Sequence, residues 1–254
     1  MTPPRDRANG REHALAVALI GPDGSGKTSI ARRVAESLPV PARTIYMGVN
    51  LESGSALMLP TTRLMLMAKR ARGEEPDLNG AGRPAPPAQR GSRGTRVRRS
   101  VKAAVRMTNW VAEEWFRQAV ASYAQARGQV VIFDRHFYCD FYAYDIVPRH
   151  GPRPWSARAH GFLLARAYPK PDLVIYLDAP AEVLQARKGE GTLEFLDELR
   201  EDYSGLAEVF EHFVTVDAAR PADVVAGEVA DVIVGHLAAA TDHPRSNAKQ
   251  RKQQ

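Results

Sequence analysis

Gly21-Pro22-Asp23-Gly24-Ser25-Gly26-Lys27-Thr28 is the stretch that decides the fold. An apolar run, Ala14–Ile20, leads into it, and a helical pattern, Ser29–Leu38, leads away. Strand, glycine-rich turn and helix is the context in which such a turn becomes a binding site. Glycines let the backbone curl until its N–H groups point inward as a nest for anionic oxygens. The helix beginning near Gly26 adds the positive end of its dipole. Gly21, Asp23, Gly24, Ser25, Gly26, Lys27, Thr28 and Ser29 are therefore the expected triphosphate-binding residues. Lys27 has the reach for the β- and γ-phosphates, and the Thr28 hydroxyl is a ligand for Mg²⁺. The bland alternative is a strand-to-helix turn that binds nothing.

Composition bounds what surrounds this turn. The chain of 254 residues is long enough for one large α/β domain with a real core. No apolar run approaches the roughly 20 residues needed to span a bilayer, so no membrane span is expected. Residues 1–12 are polar, carry Pro3 and Pro4, and lack the apolar centre of a secretory signal. Cys139 is the only cysteine, which fits a reducing cytoplasm. The formal charge of +6 is unevenly spread. Lys69–Arg106 holds eleven Lys/Arg and three acids, and Thr241–Gln254 holds four and one, which leaves −5 for the remainder. These basic stretches can attract nucleic acid, acidic membrane or anionic substrate, or simply be solvated.

Five apolar runs read as buried parallel strands: Ala14–Ile20, Thr44–Met47, Gln129–Phe133, Leu173–Leu177 and Phe213–Val216. Helical patterns lie between them, which implies βαβ units with right-handed crossovers. Helices are predicted over Ser29–Leu38, Leu57–Arg72, Val97–Arg127, Phe137–Ile146, Ser156–Tyr168, Pro180–Arg187, Thr192–His212 and Ala222–Ala239. Trp110, Val111, Trp115 and Phe116 read as core contacts of the third. Proline and glycine crowd residues 73–95, and the expectation is a flexible basic insertion at 73–96. The expected organisation is a flexible N-terminus at 1–12, one domain over 13–240, and a disordered basic tail at 241–254.

A second site element ends the third strand, Val130-Val131-Ile132-Phe133-Asp134-Arg135. Ligands of open parallel sheets bind beyond the carboxyl ends of the strands. Asp134 is thus expected to face Thr28 across a phosphate tail and to contact Mg²⁺ directly or through water. Arg135 can hold an anion with a bidentate fork. The alternative for this pair is a structural salt bridge at a strand end.

These stretches together carry a resemblance. The glycine turn, then Phe133-Asp134-Arg135-His136, then Ala143-Tyr144-Asp145, resembles the thymidylate kinase and deoxynucleoside kinase superfamily, whose fold is that of P-loop NTPases. Pro171–Asp178 resembles its fourth strand, Ala186-Arg187-Lys188 the start of its lid, Phe195–Tyr203 the next helix, and Val216-Asp217-Ala218 its last strand, near the adenine. The matches span residue 14 to about 235, in order. The resemblance implies a three-layer α/β fold with a five-stranded parallel sheet, helices on both faces and a lid. It implies phosphoryl transfer from ATP, with Mg²⁺, to a small-molecule acceptor. Lys27, Asp134, Arg135, Arg187 and Lys188 are the implied catalytic residues, and Thr28 and Asp134 the metal ligands. Asp23 would meet the acceptor's sugar hydroxyl and Arg135 its phosphate. Since position 24 is glycine, the charge that stabilises the transition state would come from the lid, at Arg187 or Lys188. Those two residues also read as an ordinary solvated helix end. Family members often form dimers, so a homodimer is admitted, with no face legible.

The chain also departs from this family. The Arg-Glu-Pro-Gly segment of thymidylate kinases has no counterpart in Tyr46–Glu52, the basic 73–106 stretch is additional, and Asp134 stands one residue further from Tyr144. Phosphorylation of dTMP is accordingly the leading expectation. A nucleoside or sugar kinase and a non-catalytic nucleotide-binding protein whose basic arm docks elsewhere are the alternatives. Nucleic acid is not the expected partner, and the basic insertion is where it would bind. No histidine pair has metal-ligand spacing. His136 borders the site and serves either packing or the acceptor, and the aromatic run Phe137–Tyr144 serves either the core or stacking on a base. Cys139 reads as a buried hydrophobe and Asp178 as a cap for the helix at Pro180.

Overall fold

The computed structural model describes residues 14–48, 58–71, 93–147, 155–189 and 191–242. Five parallel strands form one sheet: β1 (Ala16–Ile20), β2 (Ala42–Tyr46), β3 (Val130–Asp134), β4 (Leu173–Asp178) and β5 (Phe213–Asp217), in the order β2-β3-β1-β4-β5. Around them run helices α1 (Lys27–Ser37), α2 (Pro60–Ala71), α3 (Arg93–Ala126), α4 (Phe137–Asp140), α5 (Trp155–Ala167), α6 (Ala181–Lys188), α7 (Leu193–Ser204) and α8 (Ala222–Asp242). A π-helical turn, Tyr142–Ile146, follows α4, and a 3₁₀ turn, Gly205–Glu208, follows α7.

The central strands read as unbroken apolar runs because both faces are buried. Val17, Leu19, Ile132, Ile175 and Leu177 pack on Ile30 and Val34 of α1 and on Val225, Val229 and Ile233 of α8. Each such side chain contributes about 2 kcal/mol when fully buried. On the other face Ala18, Ile20, Val131, Phe133, Val174 and Tyr176 are buried as well, and Tyr203 of α7 stacks on Tyr176 with ring centroids 6.0 Å apart. The chain leaves β1 toward β2 on one side and leaves β3 toward β4 on the other. A parallel sheet opens a crevice where neighbouring strands are followed in opposite directions. That point lies outside the carboxyl ends of β1 and β3, at Gly21 and Asp134.

Several boundaries differ from the sequence reading. The second strand covers Ala42–Tyr46 rather than Thr44–Met47. The helix expected to reach His212 stops at Ser204, and Gly205 opens a tighter turn that buries Leu206. The predicted helix Phe137–Ile146 is two pieces, with a π turn as the second. Helix α3 begins at Arg93, so 93–96 is helical rather than disordered, and α8 extends through Thr241 and Asp242. Residues 1–12, 73–92 and 243–254, where flexible segments were expected, lie outside the described residues. So does the side chain of Trp110. Trp115 and Phe116 are not core contacts: they are 41% and 38% exposed, and Glu113, Glu114, Arg117 and Gln118 take the buried side of that helix. Among the described residues no helix is long and apolar enough to cross a membrane.

The described residues fall into two compact units. The first comprises those up to Tyr46, Ala121–Arg135 and those from Pro171 on, and contains the whole sheet. The second comprises those within Met47–Val120 and His136–Lys170. Its interior combines apolar side chains, among them Met47, Phe137, Phe141, Leu164 and Tyr168, with buried polar groups. Arg117 donates to the Gly48 carbonyl at 2.6 Å and forks onto Glu113 Oε1 at 2.8 and 3.0 Å. Glu113 Oε2 accepts from the Leu59 amide and the Thr62 hydroxyl. His160 lies between two carboxylates, 2.6 Å from Asp145 Oδ2 and 2.9 Å from Glu114 Oε1. Buried charges persist only when paired in this way.

Burial alone would lower the His160 pKa, but hydrogen bonds and the charges of Asp145 and Glu114 outweigh it and raise it to about 9. Burial raises the Glu114 carboxyl too. Both directions mean that the folded chain holds these protons more tightly than the unfolded chain does. The part due to His160 is complete below the ordinary imidazole value of 6.5 and is lost as pH rises through about 9, while the part due to Glu114 begins to be lost above the ordinary carboxyl value of 4.5. The melting temperature is therefore expected to fall over that window. His160→Gln should flatten the fall and, by leaving two carboxylates uncompensated, cost about 3 kcal/mol at neutral pH, as measured by chemical denaturation.

Candidate functional site

The turn after β1 is built by its backbone. Gly21 has φ 144° and Gly24 φ 91°, which side-chain-bearing residues rarely adopt. A Cβ at Gly24 would sit 2.7 Å from the Leu184 carbonyl oxygen, so α6 packs against the turn itself. The Ser25 amide closes on the Pro22 carbonyl at 3.3 Å, and Gly26 caps α1 in the left-handed conformation. Lys27 is buried and its ammonium donates to the carbonyls of Gly21 and Pro22, both at 2.7 Å. Thr28 and Ser29 stand exposed on the first turn of α1. A glycine-curled backbone, a helix N-terminus and one ammonium thus lie side by side at this turn.

Asp134 completes the same edge of the sheet. It lies opposite Leu19 of β1, and the amide of the next residue, Arg135, donates to the Leu19 carbonyl at 3.1 Å. The Asp134 side chain is 3% exposed, and its Oδ1 has no hydrogen-bond partner among the described residues. An unsatisfied buried carboxylate oxygen is costly, and its presence calls for an explanation. Arg135 has φ 71°, the one described non-glycine residue with positive φ. That conformation costs on the order of 1 kcal/mol and is most frequent at functional sites.

Asp23 ties the cations of the site together. It accepts a short hydrogen bond from Arg135 and lies 3.6 Å from the Lys188 ammonium. Burial would raise its pKa, but Arg135, Lys27 and Lys188 together hold the carboxyl below its ordinary value. It therefore stays ionised at neutral pH. The two residues of the predicted lid separate. Arg187 donates to the carbonyls of Ala218 and Ala219 at 2.8 and 3.1 Å and so anchors the loop after β5. Lys188, 43% exposed, is the one beside the turn. Asp178 does not cap α6: it takes a two-pronged contact from Arg200, at 2.8 and 3.1 Å, and the Tyr176 hydroxyl.

The glycine turn, Asp23, Lys27, Asp134, Arg135 and Lys188 all belong to the first unit. His136 and the aromatic run belong to the second. There His136 is fully buried, burial lowers its pKa to about 3, and it packs edge-on against Tyr168, so it is a neutral packing residue. Cys139 is buried and its thiol is pushed up by burial, as expected of a hydrophobe. The Glu114–His160–Asp145 trio was not foreseen, because its members stand 46 and 15 residues apart. The adjacent acids Glu113-Glu114, in phase with Ala121 and Ala124 on one helix face, were the signal available for it. No protein-family model matches the sequence, and no curated protein matches it.

Gly24→Ala is expected to destabilise the fold by about 2 kcal/mol or more, since backbone strain adds to a clash with main-chain atoms. Gly189→Ala is the control: its φ is 70° but a Cβ there would meet nothing within 4 Å, so strain alone should cost about 1 kcal/mol. Urea denaturation of both variants measures the difference.

Proposed function

We propose that this chain is an ATP- and Mg²⁺-dependent kinase of the thymidylate kinase and deoxynucleoside kinase type. The proposed acceptor is a nucleoside monophosphate, with dTMP the first to test, and the proposed place of action is the cytoplasm. The observation that carries the reading is the orphaned Oδ1 of Asp134, buried at the sheet's switch point beside an amide nest. A carboxylate oxygen kept there without a hydrogen-bond partner among the described residues fits a cation shared with phosphate oxygens. Magnesium is commonly held in this way, by one or two protein oxygens and its substrate's phosphates. Thr28 and Asp134 are the residues that would hold it. When bound, Mg²⁺ neutralises charge on the phosphoryl oxygens.

The chain's own groups then divide the work. The amides of Gly24 to Thr28 and the Lys27 ammonium grip the β- and γ-phosphates. Asp23 and Arg135 face the acceptor: Arg135 can exchange its bond to Asp23 for a phosphate oxygen, and Asp23 can then accept from a hydroxyl. Lys188 is the lid cation, since Arg187 is committed to the carbonyls of Ala218 and Ala219. The packing of Leu184 on Gly24 also accounts for the lack of an arginine in the turn. Phosphoryl transfer asks for positioning and charge rather than covalent catalysis, so these parts suffice.

A coupled assay of ADP release, run with ATP, Mg²⁺ and a panel of nucleotides, nucleosides and sugars, tests the reading. A nucleoside monophosphate is expected to stimulate turnover, and Lys27→Ala and Asp134→Asn to abolish it. Asp134→Asn should not lower the melting temperature, because Oδ1 makes no hydrogen bond among the described residues that the substitution would remove. Lys188→Ala should lower kcat by about 10²–10³ with ATP binding retained, whereas Arg187→Ala should lower stability and spare kcat. Turnover only with a phosphate-free acceptor would move the substrate to a nucleoside or sugar. ADP release at the Lys27→Ala level with every acceptor would overturn the kinase reading.

A further inference from the structure

We infer that the second unit docks on an anionic lipid surface through the outer face of α5. This helix is fixed from beneath. His160 is held by Asp145 and Glu114, and Leu164 is buried. Gly161 abuts the π turn so closely that a Cβ there would meet the Asp145 carbonyl oxygen at 1.8 Å. The helix therefore cannot roll, and what it shows to solvent is built in. That face carries Trp155, Arg158, Phe162 and Arg166, at the i, i+3, i+7, i+11 spacing of one helical stripe. Trp155 is 55% and Phe162 62% exposed, with Leu163 exposed alongside. The Arg166 guanidinium lies 5.6 Å from the centre of the Phe162 ring.

Charge selects the partner. Residues 47–120 and 136–170 hold eighteen Lys/Arg and eight Asp/Glu, a net +10 against +6 for the chain, so the rest sums to −4. Residues 147–171 contain five Lys/Arg and no acid. The cationic excess belongs to the unit that exposes the aromatics, while the anion nest and sheet lie in the acidic one. A second copy of the chain, joined through this face by a two-fold axis, would bring four arginines, Arg158 and Arg166 from each copy, together with no acidic residue on the stripe to offset them. A nucleic acid would use the arginines and rings, but has nothing for Leu163. Aromatic and aliphatic side chains flanked by arginine are what an interfacial helix sinks into the headgroup region, its guanidinium groups remaining at the phosphates.

The test is flotation of the full chain with phosphatidylcholine vesicles, with and without phosphatidylglycerol, at low and high salt. Binding is expected only to vesicles containing phosphatidylglycerol, and to weaken with salt. Trp155→Ser/Phe162→Ser should weaken it at least about tenfold without changing charge, and Arg158→Glu/Arg166→Glu should remove it. All four side chains are exposed, so melting temperatures near wild type are expected and verify that the variants are folded. Three results would overturn the inference. They are no flotation, flotation indifferent to Trp155→Ser/Phe162→Ser, or a single-stranded oligonucleotide that needs these rings while vesicles do not bind.

Discussion

The turn at Gly21–Thr28 depends on one constraint: α6 runs so close that Leu184 touches Gly24, and no side chain fits between them. Glycine is therefore required at that point, and the backbone is curled by positive φ at Gly21, Gly24 and Gly26. The same closeness brings Lys188, at the end of α6, to Asp23, and Asp23 to Arg135. A site of three cations and two carboxylates thus follows from a helix packed against a turn. It sits at the switch point because β1 and β3 are neighbours whose chains depart in opposite directions.

Strain and desolvation mark the same place. Arg135 holds a left-handed backbone and Asp134 an unsatisfied oxygen, one directly after the other. Neither contributes to folding, and the rest of the sheet, apolar on both faces, compensates for both. Folds tolerate such local violations where chemistry requires them.

The sheet was legible in the sequence because parallel strands are continuous apolar runs and the glycine turn is local. The place of Asp134 at the end of β3 was legible because it ends such a run. Contacts between distant residues were not. The phase of α3 misled, since Trp115 and Phe116 looked like core while Glu113, Glu114, Arg117 and Gln118 are inside. Hydrophobicity assigns faces correctly only where the packed surface is apolar, and here α3 meets the second unit's ion pairs, Arg117 on Glu113 and His160 on Glu114. Arg187 and Lys188 are adjacent in sequence, and only packing shows that one grips a loop while the other reaches the turn.

Calorimetric titration of the folded chain with ATP, with and without Mg²⁺, addresses the central claim most directly. A nest joined to a waiting carboxylate requires one ATP per chain, bound at least about tenfold more tightly with Mg²⁺, and Asp134→Asn must erase that difference. Absence of any binding heat, or affinity indifferent to Mg²⁺ in the unaltered chain, would contradict it.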